Sequence, residues 1–562
     1  PGLTPGAEGA SAYVLNSQAK GQSYHHFFVV VSFDGVGICA TRQFFFSGGN
    51  DMDILQKIAE INSSVNGVVW GTFGLALLIG TGILMTCLTG FFQVGHIGHW
   101  FKETVGRLFD KRVSAHTGEK SSISQFQALC AALAATVGTG NIAGVSAAIV
   151  TGGPGAVFWM WVAAFFGMMT NFSENLLGIY YRRRNKDGEW SGGPMYYLKD
   201  GLGKRYGKKW LTPIANVLAV LFSLFAILAS FGIGNMAQIN KIVLNMDAAF
   251  FSDVSLGLIP GTQIDIIHLI IGLVLLAIAA LIILGGLKRI ARFAEIVVPF
   301  MAIVYVIGGL IVFAFNLDQV GAMFAAIFKF AFTPAAFLGG GIGVLIKKTM
   351  TQGFKRGVFS NEAGLGSSVM VHSCSDVKEP VKQGMWGIFE VFFDTFVVCT
   401  MTAIVVLSTG YVDLVTGAPA AGINGDTLVS QAFGNYFGAP GTWFVAIAML
   451  FFAFTTVLGW SVYGSKAVEY LFGSKGVKVY KVIFVAMIVS GAVMEGGLAW
   501  DLSDTFNGLM MIPNLIGVIS LLPLVLKITK NYIDRKIKNQ DVAPILSYDA
   551  QIQAEMEQKI DD

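Results

Sequence analysis

Basic residues alternate along this chain with a period of two membrane crossings. Thirty-three of the 38 Lys and Arg residues fall within 95–121, 182–210, 285–293, 347–383, 466–481 and the stretch from Lys527 onward. These are every second stretch between eleven apolar segments. The stretches between them, near 151–153, 246–262, 315–333, 410–440 and 495–503, hold only Lys329. Lys and Arg are retained on the cytoplasmic side when a membrane protein inserts. The basic loops are therefore expected in the cytoplasm. An odd number of spans then puts the N-terminus outside and the C-terminus inside.

Only 13% of the residues are charged, 54% are hydrophobic and the mean hydropathy is +0.64. A soluble domain of this length needs far more surface charge. About 20 apolar residues cross roughly 30 Å of hydrocarbon as a helix. Such segments lie near 66–94, 123–150, 154–181, 211–243, 263–284, 293–314, 334–353, 384–409, 442–465, 482–494 and 505–529. They predict an all-α polytopic membrane protein with a lipid bilayer as its solvent. The net charge of +3 follows from topology and gives no footing for nucleic acid. Cys39, Cys87, Cys130, Cys374 and Cys399 lack a CxxC pair, and the three within or beside apolar spans read as small packing residues. Residues 1–51 show no periodicity, whereas from Met52 an amphipathic stretch leads into the first span. This reading makes 1–51 a poorly structured extension ahead of a start at Met52, and 531–562 a polar cytoplasmic tail.

Two spans carry glycine clusters. The second contains ALAATVGTGNIAGVSAAIV (132–150), and the seventh contains AAFLGGGIGVLI (335–346). Each glycine disfavours helix by about 1 kcal/mol relative to Ala. Non-helical backbone at membrane depth survives only where it is buried in protein or lines a cavity. Close packing of helices through small residues is the alternative use of such clusters. The two clusters are five spans apart, so spans 2–6 and 7–11 each begin with an interrupted helix. An odd-numbered repeat is inverted in its second copy, the arrangement that marks a secondary transporter's binding site. Half-helix ends offer N–H groups to a carboxylate and carbonyls to Na⁺ or an ammonium. A zwitterionic amino acid suits both ends at once.

GTFGLALLIGTGILMT (71–86), FQALCAALAATVGTGNIAGV (126–145), SGGPMYY (191–197), FGIGNMAQIN (231–240) and RGVFSNEAGLGSS (356–368) resemble the alanine or glycine:cation symporter family. So does GGPGAVFWMWVAAFFGMMTNFSENLLGIYYR (152–182). The resemblance covers nearly all of 52–530. It implies a LeuT-type 5+5 inverted repeat, 123–314 and 334–529, with an extra leading helix at 66–94. It also implies roles for particular residues. Thr136, Gly138, Thr139 and Gly140 contact a small neutral amino acid, with Asn141 bracing the break. Ala134 and Val137 offer carbonyls to Na⁺, and Thr455 and Thr456 offer hydroxyls. Back-bonding of both threonines to their own helix is the other reading.

Asn235 and Gln238 stand three apart on an apolar span, where unpaired amides are costly. Gln238 is expected on the substrate, and Asn235 either there or in packing. Phe337, Gly340 and Gly341 are expected as a tight apolar wall favouring Ala and Gly. Asp394 is a carboxylate near midspan and a candidate coupling acid. Glu390 and Glu174 are further buried acids. Ser360 and Glu362 read as a helix cap or a cytoplasmic latch.

The expected function is import of alanine or glycine with Na⁺ by alternating access, in a bacterial or archaeal inner membrane. A proton-coupled carrier, an ion channel and a non-transporting sensor are the alternatives. No HExxH, GxSxG or paired acid–His set points to an enzyme or an organic cofactor. The number of copies in an assembly is not legible in the sequence.

Overall fold

A computed structural model of the chain describes residues 11–560 apart from 20–21, 34–35, 42–48, 109, 111–121, 206–207, 261, 334–341, 424, 426 and 495–497. It divides into two units, residues 1–63 and 64–562. In the first, Ser11–Ala19, Gln22–Phe33 and Val36–Thr41 form an antiparallel meander. Ser11 pairs with Val30 and Phe28 with Thr41. Strands thus run through the stretch in which the sequence shows no periodicity.

The second unit is a helical bundle. Gly155–Tyr180, Leu211–Phe251, Ile266–Ile283, Leu287–Phe315, Pro380–Leu407 and Ala439–Val493 are each long and apolar enough to cross a bilayer, as is Gln56–Leu88. Two further pairs are bent: Gln125–Thr136 with Gly140–Gly152 by 51°, and Asp501–Ser520 with Leu522–Lys536 by 60°. Burial sorts the helices by position. Ile266–Ile283 and Leu287–Phe315 are 33% buried in their apolar windows, against 67% for Pro380–Leu407. Their outer faces show Ile270, Leu273, Ile278, Ile296, Phe300 and Ile307. Rows of exposed branched residues on adjacent helices fit contact with lipid, not water. The chain is a multi-pass membrane protein.

Within Ala439–Val493 two helices follow each other directly, parted by Gly473 at φ 71°, ψ −175°. Tyr480 packs against Gly464, and its hydroxyl lies 2.8 Å from Ser230 Oγ. In a straight helix, residues 464 and 480 would stand about 24 Å apart. The chain therefore folds back at Gly473, giving two spans, 439–472 and 474–493. The expected tenth span, 482–494, is longer than its hydropathy indicates because exposed Lys475 and Lys478 ride on the helix.

The expected seventh span, 334–353, is displaced. Its first residues lie outside the described ones, and the helix runs Ile342–Asn361. Lys347, Lys348, Lys355 and Arg356 therefore stand on a helix, not in a cytoplasmic loop. Hydropathy misses this because the helix is amphipathic. Gly353 and Gly357 bring its backbone against Ala156, Trp159 and Met160 of the third span. Lys355 Nζ lies 2.5 Å from Asp504 Oδ2, and Trp70 Nε1 donates to Asp504 O at 3.1 Å. These bases thus sit at the end of the bundle where the first and eleventh spans begin.

Candidate functional site

The second span begins with a capping box. Gln127 N–H donates to Ser124 Oγ, and Ser124 N–H donates to Gln127 Oε1, both at 3.1 Å. Ala128 to Ala135 are buried on every side, so this helix runs through the centre of the bundle. It stops at Thr136. Val137 takes φ −80°, ψ 88°, and the chain resumes as a wide turn over Gly140–Gly144 before Val145–Gly152.

The break leaves backbone N–H groups that need partners in an apolar setting. Side chains supply them. Gly138 N–H donates to Asn141 Oδ1 at 2.9 Å, and Thr139 N–H donates to Gln238 Oε1 at 3.3 Å. Gln238 Nε2 donates to Ile233 O at 3.1 Å. Asn141 Nδ2 in turn donates to Asp394 Oδ1 at 2.7 Å. The Asp394 carboxylate also accepts from Ser360 Oγ at 2.8 Å and Thr395 Oγ1 at 2.9 Å. It is fully buried, one residue removed from the break.

A second buried non-helical stretch meets the first. Beyond Asn361 the chain turns through positive φ at Glu362 (55°), Gly364 (92°) and Gly366 (74°). Residues 360–368 are all buried. Asn514 Nδ2 donates to Gly364 O at 2.9 Å and to Glu174, while Gly364 N–H donates to Glu174 Oε2 at 3.4 Å. Asn361 Oδ1 accepts from Ala363 N–H at 3.0 Å. A Cβ at Gly140 would stand 3.1 Å from Phe359 and 3.2 Å from Ser360 Cα, so the break in the second span touches the last turn of the Ile342–Asn361 helix, from which the second stretch begins. Ser360 is thus neither a cap nor part of a cytoplasmic loop; it braces Asp394. Phe337, Gly340 and Gly341 lie outside the described residues.

A narrow cavity lies at this junction. Thr136, Gly138, Gly140, Gln238 and Thr456 line it. So do Phe359, Glu362, Trp460 and Asn507, which sequence reading did not place there. Thr456 Oγ1 donates to Ala134 O at 3.1 Å and to Phe452 O at 3.0 Å. It also fills the space where a Cβ on Gly138 would go. Thr455 turns away: its hydroxyl donates to Phe452 O at 3.0 Å, 3.7 Å from Met301 Sδ. Thr136 Oγ1 donates to Ala132 O at 3.3 Å. Asn235 Nδ2 donates to Phe484 O at 2.6 Å, tying the fourth span to the tenth. The structure therefore brings Thr136, Gly138, Thr139, Gly140, Gln238, Ala134 and Thr456 together. Asn141 and Asp394 stand behind the break, and Asn235 stands in packing.

A central helix broken in mid-bundle, with its loose backbone groups held by side chains around a buried polar cavity, is the build of a secondary transporter. The model of the sodium:alanine symporter family matches residues 55–545. The chain belongs to the sodium:alanine symporter family and is a transporter, not an enzyme. It is 41% identical over 470 residues to a Methanococcus maripaludis protein named sodium/alanine symporter AgcS, covering 84% of this chain and 96% of that one. It is 37% identical over 491 residues to a Bacillus subtilis protein named probable sodium/glutamine symporter GlnT, covering 87% and 93%. Among solved structures, MhsT in complex with L-phenylalanine aligns at 13% identity with a TM-score of 0.48, over 74% of this chain and 99% of that one.

Proposed function

We propose that the protein imports alanine, glycine or a close relative, driven by Na⁺. The observation that carries this reading is the cavity at the break of the second span. It offers backbone of Gly138–Gly140, the Gln238 amide and the Thr456 hydroxyl within one apolar bundle. Hydrogen-bonding groups without a fixed basic charge suit a neutral zwitterion. The relatives named for alanine and glutamine differ in the size of their solute. The crowding of Thr456, Trp460 and Phe359 around Gly138 and Gly140 supports the smaller one.

Sodium is assigned to the oxygens near Ala134, Val137, Thr455 and Thr456. The close approach of Thr456 to Ala134 O supports a site shared between the second and ninth spans. Thr455 would have to release Phe452 O to join it. Behind the cavity, Asp394 holds Asn141 and through it the break, which makes it a support for the site. The two halves of the proposed inverted repeat, each with an irregular stretch at the cavity, would rock about it to give alternating access. The N-terminus is placed outside and the C-terminus in the cytoplasm. This rests on the basic bias of 182–210, 466–481 and the stretch from Lys527, even with the seventh helix removed from the cytoplasmic set.

Each Na⁺ moving down about 100 mV contributes about 2.3 kcal/mol. Uptake of labelled L-alanine into proteoliposomes tests the reading. An inward Na⁺ gradient is expected to drive accumulation; equal uptake with choline or with a proton gradient alone would reject sodium coupling.

A further inference from the structure

Glu362 is a carboxylate at the wall of the cavity, 3% exposed, at the first left-handed residue beyond the Ile342–Asn361 helix. Ser367 Oγ donates to one of its oxygens. None of the ion pairs among the described residues includes it; Lys355, two turns earlier on that helix, is paired with Asp504, and the Arg356 guanidinium lies over the Phe359 ring. An ionised carboxylate away from water is costly unless a cation stands beside it. Asn507 lines the same cavity from the eleventh span, 2% exposed, and its buried Oδ1 accepts no hydrogen bond. Buried acceptors in native structures normally have a partner. The donors beside Glu362, on Ser367, Trp460 and Tyr463, are neutral. A carboxylate outside the ion pairs and an unpaired amide oxygen thus face one small space from different elements. Asp394 stands behind the break instead, held by Asn141, Ser360 and Thr395.

We infer that Glu362 and Asn507 form the cation pole of the cavity, receiving a monovalent cation: the α-ammonium of the solute or the coupling Na⁺. A primary ammonium brings three N–H donors and no acceptor, and Na⁺ brings a hard positive charge; both match a carboxylate beside an amide oxygen. This pole is made of other residues than the Ala134–Thr456 contact to which sodium is otherwise assigned. The inference rests on the transport reading above, and wild-type uptake in the same assay keeps the two separable.

The test uses the full chain in proteoliposomes and in detergent, with two probes: ²²Na⁺ binding without amino acid, and L-alanine half-saturation at saturating Na⁺. Glu362→Gln keeps the shape and removes the charge. A tenfold or larger loss of ²²Na⁺ affinity assigns the pole to sodium. Unchanged ²²Na⁺ binding with a tenfold or larger rise in alanine half-saturation assigns it to the ammonium. If Glu362→Gln does not fold, Asn507→Ala decides, with a threefold or larger weakening of one probe expected. Wild-type affinities for both probes in a folded Glu362→Gln, or in Asn507→Ala where the first does not fold, overturn the inference while transport by the wild type stands.

Discussion

Gly138 shows how little room the site leaves. A Cβ there would run into Thr456 Oγ1, itself fixed by Ala134 O and Phe452 O. Overpacking of this kind costs about 1–3 kcal/mol. Gly138→Ala is expected to cut alanine uptake tenfold or more while leaving the purified protein folded; wild-type uptake would show that the break tolerates a side chain. Asn141 works differently, through satisfaction of buried groups. Asn141→Ala would orphan Gly138 N–H and remove one donor from Asp394, at about 1–3 kcal/mol per buried group left unpaired. A thermal unfolding midpoint several degrees lower is the expected result, and an unchanged midpoint would remove Asn141 from the brace.

Gly138 and Gln238 stand out as a small and a polar residue against apolar runs, whereas Thr136 and Thr456 were singled out by the family resemblance; the structure puts all four at the cavity. Glu362 and Asn507 were not. Glu362 was read in a polar loop, RGVFSNEAGLGSS, and Asn507, near the start of the expected eleventh span, was given no role; only the fold shows that both are buried at the cavity.

At the scale of elements, Gly473 parts the two helices of Ala439–Val493 into two spans. Its φ of 71° with ψ −175° falls where L side chains cost about 1–3 kcal/mol. Gly473→Ala should lower the unfolding midpoint, whereas Gly321→Ala, in a helix with open space around it, should not. Equal effects of the two would argue against the fold-back. Apolar runs located most of the helices that are long enough to cross a bilayer, since length and hydropathy are what such a helix needs. They misplaced the seventh because a helix packed by one glycine-bearing face on Ala156 and Met160 is polar on the other. Composition records both faces; burial separates them.

For the whole molecule, the proposed sidedness rests on the basic bias, with one revision. Lys347 and Lys478 are both exposed, and the proposed topology puts Lys347 outside and Lys478 in the cytoplasm. Lys347→Cys should react with an impermeant maleimide from outside intact cells, and Lys478→Cys only after permeabilisation. The reverse pattern would invert the topology. The broken second span and the Ile342–Asn361 helix with the turn after it come from distant parts of the chain, so their meeting at Gly140 and at the shared cavity was beyond any local pattern. The central claim is that this meeting creates one site where solute and Na⁺ bind together. Equilibrium binding of labelled L-alanine to the purified protein, in NaCl and in choline chloride, tests it most directly. Saturable binding that requires Na⁺ and disappears in Gly138→Val is the predicted result; alanine binding that ignores both the cation and the substitution would contradict it.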